Sequence, residues 1–218
     1  YPYCPGEVMA QNPKWCRPLS VWQSYFTQWI QRAEPQELLE LSIFFDFRPI
    51  AGEVELAQEL RRHVHSVLKE TPGFLPHFAQ SSLQFRPPVR LFGRVVGSGE
   101  PAGALNLKDA LMPIVCFARL YALRQGLSET HTLDRLEALS DQGVLGERSL
   151  EETAAAYELL MRLRLTQQVR DIDAGQPPGN SVSHRRLAHH EEAALNQSFA
   201  QISALQKRIS HDFLGGTA

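Results

Sequence analysis

Leu150-Glu151-Glu152-Thr153-Ala154-Ala155-Ala156-Tyr157-Glu158-Leu159-Leu160-Met161-Arg162-Leu163-Arg164-Leu165-Thr166-Gln167-Gln168 is the stretch whose reading decides the fold. Leu150, Ala154, Tyr157 and Met161 recur at helical spacing, which predicts one long helix with an apolar stripe. Ser149 with Glu152 three residues later reads as a capping box that opens it. Gly175-Gln176-Pro177-Pro178-Gly179-Asn180 closes it after about Asp173. The stripe then continues, at the same spacing, into Arg164 and Gln168. Polar groups thus occupy seam positions of a bundle helix, where an unpaired guanidinium is costly. Two explanations stay open: the bundle opens to solvent there, or the seam lines a pocket for an anion. Arg162 shares the seam if the helix is rotated.

Working outward, the flanking segments read as helices too. One spans Leu107 to Gln125, with Leu111, Ile114, Val115, Ala118, Tyr121 and Ala122 inward and Gly126 as its stop. Lys108 and Arg119 are eleven residues apart on it and fall on nearly the same line. A shorter helix covers Thr130 to Leu139, and the last one Ser183 to Phe213, with Leu195, Phe199, Ile202, Leu205 and Ile209 inward. Short connections make such helices antiparallel neighbours, so a four-helix up-and-down arrangement is expected. If Lys108, Arg119, Arg164 and Gln168 converge, they form a site for phosphate or carboxylate. On that reading Arg164→Leu weakens ligand binding and leaves stability unchanged or higher. His184, His189 and His190 lack a carboxylate or Cys partner set and read as a polar helix N-terminus.

Before the bundle the pattern is different. Tyr1 to Pro18 reads as a loop anchored by Tyr1, Tyr3 and Trp15. Ser20 is the candidate N-cap of a helix to Arg32 with the stripe Trp22, Phe26, Trp29 and Ile30, and Pro35 suits the first turn of a short helix from Glu37 to Leu41. Ser42-Ile43-Phe44-Phe45-Asp46-Phe47-Arg48-Pro49-Ile50-Ala51-Gly52 follows. If that run is extended, Asp46 and Arg48 share one face and Ile43, Phe45 and Phe47 bury the other. A carboxylate at a strand end suits a divalent cation that bridges nucleotide phosphates, whereas the simpler reading pairs Asp46 with Arg48 or a neighbour. Past Gly52 a helix carries Leu56, Leu60, Val64, Val67 and Leu68; His63 and His65, two apart, cannot share a metal and read as surface groups. After a helical piece at Leu75 to Leu83, residues 85–99 form a hairpin-like excursion. Arg86, Arg90 and Arg94 would share a face there, as a charged edge or as an anion clamp. Gly97-Ser98-Gly99 is too short for a phosphate loop.

Composition adds boundaries. A chain of 218 residues with a formal charge of −2 has no global basic field, so nucleic acid and anionic membranes gain no support as partners. Its three cysteines, Cys4, Cys16 and Cys116, give neither a disulfide framework nor a zinc spacing. Reduced, cytoplasmic thiols are expected. No run approaches the ~18 apolar residues of a membrane span. The chain opens on Tyr1 rather than Met, which makes a piece of a longer protein the expectation.

Several motifs resemble one known family. Tyr1-Pro2-Tyr3-Cys4-Pro5-Gly6-Glu7-Val8-Met9-Ala10, Asn12-Pro13-Lys14-Trp15, Phe44-Phe45-Asp46-Phe47-Arg48-Pro49, Leu105-Asn106-Leu107-Lys108, Pro113-Ile114-Val115 and Ala118-Arg119 are similar to the bacterial nucleotidyltransferases related to protein-PII uridylyltransferase. Thr132-Leu133-Asp134-Arg135-Leu136 and Arg162-Leu163-Arg164-Leu165-Thr166-Gln167-Gln168 resemble motifs of that family's helical substrate-binding domain, with Thr166 where His is common.

The resemblance implies a mainly α chain: an antiparallel helical bundle, residues 71–218, preceded by a small α/β tail of a polymerase-β-type nucleotidyltransferase domain, residues 1–70. It implies Mg²⁺-dependent transfer of a nucleoside monophosphate from a nucleoside triphosphate to an unknown protein or small-molecule acceptor, in signal transduction. Asp46 is then a catalytic, metal-binding carboxylate. Arg48, Lys108, Arg119, Arg135, Arg164 and Gln168 are candidates for substrate binding. CBS and cyclic-nucleotide-binding-like regions often precede the catalytic domain in that family. Its Gly-Ser and Asp-x-Asp constellation is missing from these residues, so they are expected to be inactive alone and to hold no cofactor. The alternative is a regulatory module that docks a protein or an anionic ligand.

Overall fold

The computed structural model describes residues 12–32, 38, 42–85, 89–91, 94–96, 104–183, 187 and 189–216, with the backbone alone for 89–91, 94–96 and 189. The chain is mainly α and divides into two compact units, Tyr1–Phe74 and Leu75–Ala218.

In the first unit, α1 (Leu19–Arg32) packs on α2 (Val54–Glu70). Helix α1 starts one residue before Ser20: the Pro18 carbonyl accepts from Val21 N and Trp22 N, so Ser20 lies inside the first turn rather than capping it. Phe26 and Ile30 are its buried residues, as the stripe predicts. Leu60, Val64, Val67 and Leu68 are buried on α2, but Leu56 is about half exposed. His63 is not a surface group. Its Nε2 lies 2.8 Å from Thr27 Oγ1 and 3.1 Å from the Gln23 carbonyl, so it ties α2 to α1.

The run at 42–48 is not extended. Ser42–Asp46 form a short 3₁₀ helix, and no strand occurs among this unit's described residues. Three residues per turn bring Ser42 and Phe45 to one side. Both are buried while Ile43 is exposed, which replaces the alternation expected of a strand. Aromatic packing explains the preference: Phe45 meets Phe26 at 5.4 Å and Phe74 at 5.7 Å between centroids. Phe44 meets Trp15 at 5.2 Å and Trp29 at 5.0 Å. Phe26 and Trp29 themselves meet at 5.3 Å, so the successive rings of Phe44 and Phe45 enter one aromatic cluster, whereas a strand would send them to opposite faces. The proposed helix at 37–41 lies outside the described residues, Leu38 excepted.

The second unit begins within the first turn of α3 (Phe74–Ser82) and continues to a hairpin of β1 (Val89–Leu91) and β2 (Arg94–Val96). The hairpin is present, but Arg90 pairs with Val95 and Arg94 with Leu91. The chain therefore reverses between the two arginines, and they are not same-face members of one strand. Arg86 and Gly97-Ser98-Gly99 lie outside the described residues.

The bundle itself comprises α4 (Leu107–Gln125), α5 (Thr132–Asp141), α6 (Glu147–Asp173) and α7 (His189–Leu214). Helix α4 is the central one: Leu107, Leu111, Ile114, Phe117, Ala118, Leu120 and Tyr121 are all buried. It ends where Gly126 (φ 70°) returns its N–H to Ala122 O and Leu123 O. The left-handed conformation there costs glycine nothing. At its start Asn106 accepts from Lys108 N and Asp109 N at 3.1 and 3.3 Å. Helix α6 begins at Glu147 with Gly146 at the cap, so the Ser149–Glu152 capping box does not form. Glu152 instead accepts from Arg148 Nε at 2.8 Å, and Gln201 Nε2 of α7 donates to Ser149 Oγ and to the buried Thr153 Oγ1. Helix α7 starts at His189, because the chain first forms β4 (Ser181–Ser183) against β3 (Ala104–Asn106). Leu105 faces Val182 across that pair, both buried.

Candidate functional site

The polar break in the α6 seam has a structural occupant. The connection after α6 folds back along the helix, and Asn180 Oδ1 accepts from Arg164 Nε at 2.7 Å and from Gln168 Nε2 at 3.3 Å. The Asn180 carbonyl accepts from Leu107 N at 2.9 Å, which fixes the first turn of α4 at the same place. One turn further along α6, Asp171 accepts from Gly179 N at 2.8 Å and from Gln167 Nε2 at 2.6 Å. A Cβ at Gly179 would stand 3.2 Å from Asp171 Oδ2, so the close approach suits glycine. Arg164 and Gln168 therefore hold the Asn180 amide, and Asp171, braced by Gln167, holds the Gly179 backbone. Sequence reading offered solvent or an anion; the returning loop is a third answer.

Arg119 does not join this group. Leu107 marks the level of Asn180, and Arg119 lies twelve residues further along α4, ~18 Å at the helical rise. Arg119 is itself buried on α4. Lys108, exposed in the first turn of α4, follows Leu107, whose N–H donates to the Asn180 carbonyl. Arg135 is buried on α5, where its Nε donates to the Glu129 carbonyl at 2.7 Å. Asp134 beside it is exposed, within 3.4 Å of His131 Nδ1.

A second polar knot, missed by sequence reading, joins α4 to α7. Tyr121 Oη donates to Asp212 Oδ2 at 2.7 Å, Arg208 Nε lies 3.5 Å from the same oxygen, and His211 Nδ1 is 3.0 Å from Oδ1. Arg208 also donates to the Val144 carbonyl and lies over the Tyr121 ring. Burial pushes the Tyr121 phenol well above its usual range, and the bond to Asp212 adds to the shift. For Asp212, burial alone would raise the carboxyl; the bonds from His211 and Tyr121 and the Arg208 charge outweigh it and hold it below the ordinary value.

In the first unit Asp46 is half-buried and ends the 3₁₀ turn, and Arg48 is exposed two residues later. Arg61 donates to the Phe47 carbonyl between them and lies over the Phe47 ring at 4.6 Å. No group of three or more His, Cys, Asp or Glu side chains among the described residues could hold a metal ion. Asp171-Ile172-Asp173 spells Asp-x-Asp, but it sits in the last turn of α6 and Asp171 is engaged with Gly179 and Gln167. No described helix is long and apolar enough to cross a membrane.

These features define a helical-bundle domain joined in sequence to a smaller helical unit. The chain belongs to the family described as "Putative nucleotidyltransferase substrate binding domain", whose model matches residues 72–213. A second model, described as "Putative nucleotidyltransferase DUF294", matches residues 1–36. No curated protein and no solved structure gives a significant match.

Proposed function

We propose that this chain supplies the acceptor-binding helical domain of a nucleotidyltransferase that moves a nucleoside monophosphate from a nucleoside triphosphate to an acceptor, in the manner of protein-PII uridylyltransferase. The observation that carries this reading is the order of the two family matches, transferase at residues 1–36 and substrate-binding domain at 72–213. In such a transfer the acceptor hydroxyl attacks the α-phosphate in line while the protein positions both partners. The exposed Lys108 at the start of α4, held in place through Asn106 and Asn180, is a group the bundle can present to a phosphate or an acidic acceptor.

Asp46 is one carboxylate, and no group of three or more His, Cys, Asp or Glu ligands forms among the described residues. It does not make a Mg²⁺ site by itself, because this ion takes octahedral oxygen coordination. Its role would be to add one ligand to a site completed by residues outside those described. The test is Asp46→Asn in protein that carries the complete transferase domain, which keeps shape and removes charge. Loss of Mg²⁺-nucleotide binding and of transfer is expected; normal binding and turnover would remove Asp46 from the site. Absence of transfer in the unsubstituted protein would favour the regulatory binding module instead.

A further inference from the structure

The groups that seat the returning loop leave another face of α6 uncovered. Leu165, Val169 and Ile172 are 53%, 56% and 60% exposed. Spaced four and three apart, they form one apolar line with Arg162 before it and Asp173 after it, both exposed. A 4-3 spacing of apolar groups is the seam on which one helix packs against another.

We propose that this seam joins two copies of the chain, with α6 lying antiparallel on α6 about a two-fold axis. Self-complementarity selects a second copy over a different partner. In an isologous pair every contact is made twice, in reverse. An axis near position 167 sets Leu165 against Val169 of the other copy and Ile172 against the stem of Arg162. The same register brings each Arg162 guanidinium beside the other copy's Asp173 carboxylate. A shifted register would pair Glu158 with Arg162, but it places Val169 opposite Glu151 and Ile172 opposite Arg148. Burial of large apolar side chains outweighs exposed ion pairs, so the register centred on the apolar row is favoured. Three apolar side chains make a short row beside the ~20–30 residues per side of a standard interface, so the dimer is expected to be weak. This assembly is independent of the transfer reading.

Within one helix Arg162 and Asp173 stand ~16 Å apart and cannot pair, so a charge exchange between them acts only across two copies. The experiment is sedimentation equilibrium of the 218-residue chain from roughly 1 to 500 µM, a range that reaches weak association. A monomer–dimer equilibrium is expected. Leu165→Glu should weaken it about tenfold or more, and Arg162→Asp or Asp173→Arg several-fold, with the Arg162→Asp/Asp173→Arg double variant restoring it. Circular dichroism of each variant should show unchanged helix content, as these positions are exposed. A monomer at every concentration, association insensitive to Leu165→Glu, or a double variant no better than the singles would each overturn the proposal.

Discussion

The bundle is tied at two levels by knots of opposite character. Asn180, a neutral amide twelve to sixteen residues from its partners Gln168 and Arg164, fastens a loop to the helix it has just left. Asp212, a carboxylate ninety-one residues from Tyr121, fastens two helices that meet only in the finished fold. The first knot is local and does not titrate at its centre; the second is long-range and rests on charge. Breaking the local knot should release a loop together with the start of α4, whereas breaking the distant one should loosen helix packing and alter the response to pH.

The largest effect is expected from Asn180→Leu, which strands the part-buried Arg164 and Gln168 donors and should cost about 2–3 kcal/mol in denaturant unfolding. A neutral result would mean that water satisfies both donors. Next comes Arg164→Leu. The seam reading makes it neutral or stabilising, but the 2.7 Å bond to Asn180 now sets a loss of about 1–2 kcal/mol. Tyr121→Phe should cost about 1 kcal/mol, since one hydrogen bond is lost and the buried ring remains. Asp212→Asn is expected to be the mildest at neutral pH, below about 1 kcal/mol, because the side chain is a quarter exposed and screened.

Acid sharpens the contrast. The folded-state pKa of Asp212 is depressed, so its stabilisation is present above the ordinary aspartate value, near 4, and is lost as pH falls through the depressed one. Asp212→Asn should therefore flatten the acid limb of the stability profile, while Asn180→Leu lowers the whole profile and keeps its shape. The Tyr121 phenol has the opposite sense: its share is present below the usual phenol value, near 10, and is lost as pH rises beyond it. Thermal melts across pH 2 to 11, which cover the acid limb and reach the onset of the alkaline one, separate the two knots.

What was legible in the sequence follows the range of the forces involved. Helix α4 and its Gly126 stop could be read to the residue, because periodicity and a left-handed cap are local signals. The 3₁₀ turn at 42–46 could not, since alternating apolar residues fit a strand and a 3₁₀ turn alike until Phe26, Trp29 and Phe74 are in place. Ser149 and Glu152 had the spacing of a capping box, but Gln201 and Arg148 claim those side chains. For the candidate site, the irregular positions Arg164 and Gln168 were visible and their partner was not. Gly179-Asn180 was read as a helix terminator, although an amide after a flexible residue is also a ready acceptor. Nothing near Tyr121 in sequence points to Asp212.

The short β3–β4 pair has a consequence for chain topology. It fastens Asn106 to Ser181, and so closes α4, α5 and α6 into one loop tied at its base. The entropy of that closure grows only slowly with loop length. Extra residues at the exposed Gln142–Gly143 bond, clear of the buried Leu145 and of the Val144 carbonyl that Arg208 holds, should therefore cost little stability, and a cut there should leave both halves held by the clasp and the packed helices. Protease nicking at that bond, followed by gel filtration under native conditions, should return the two fragments in a single peak.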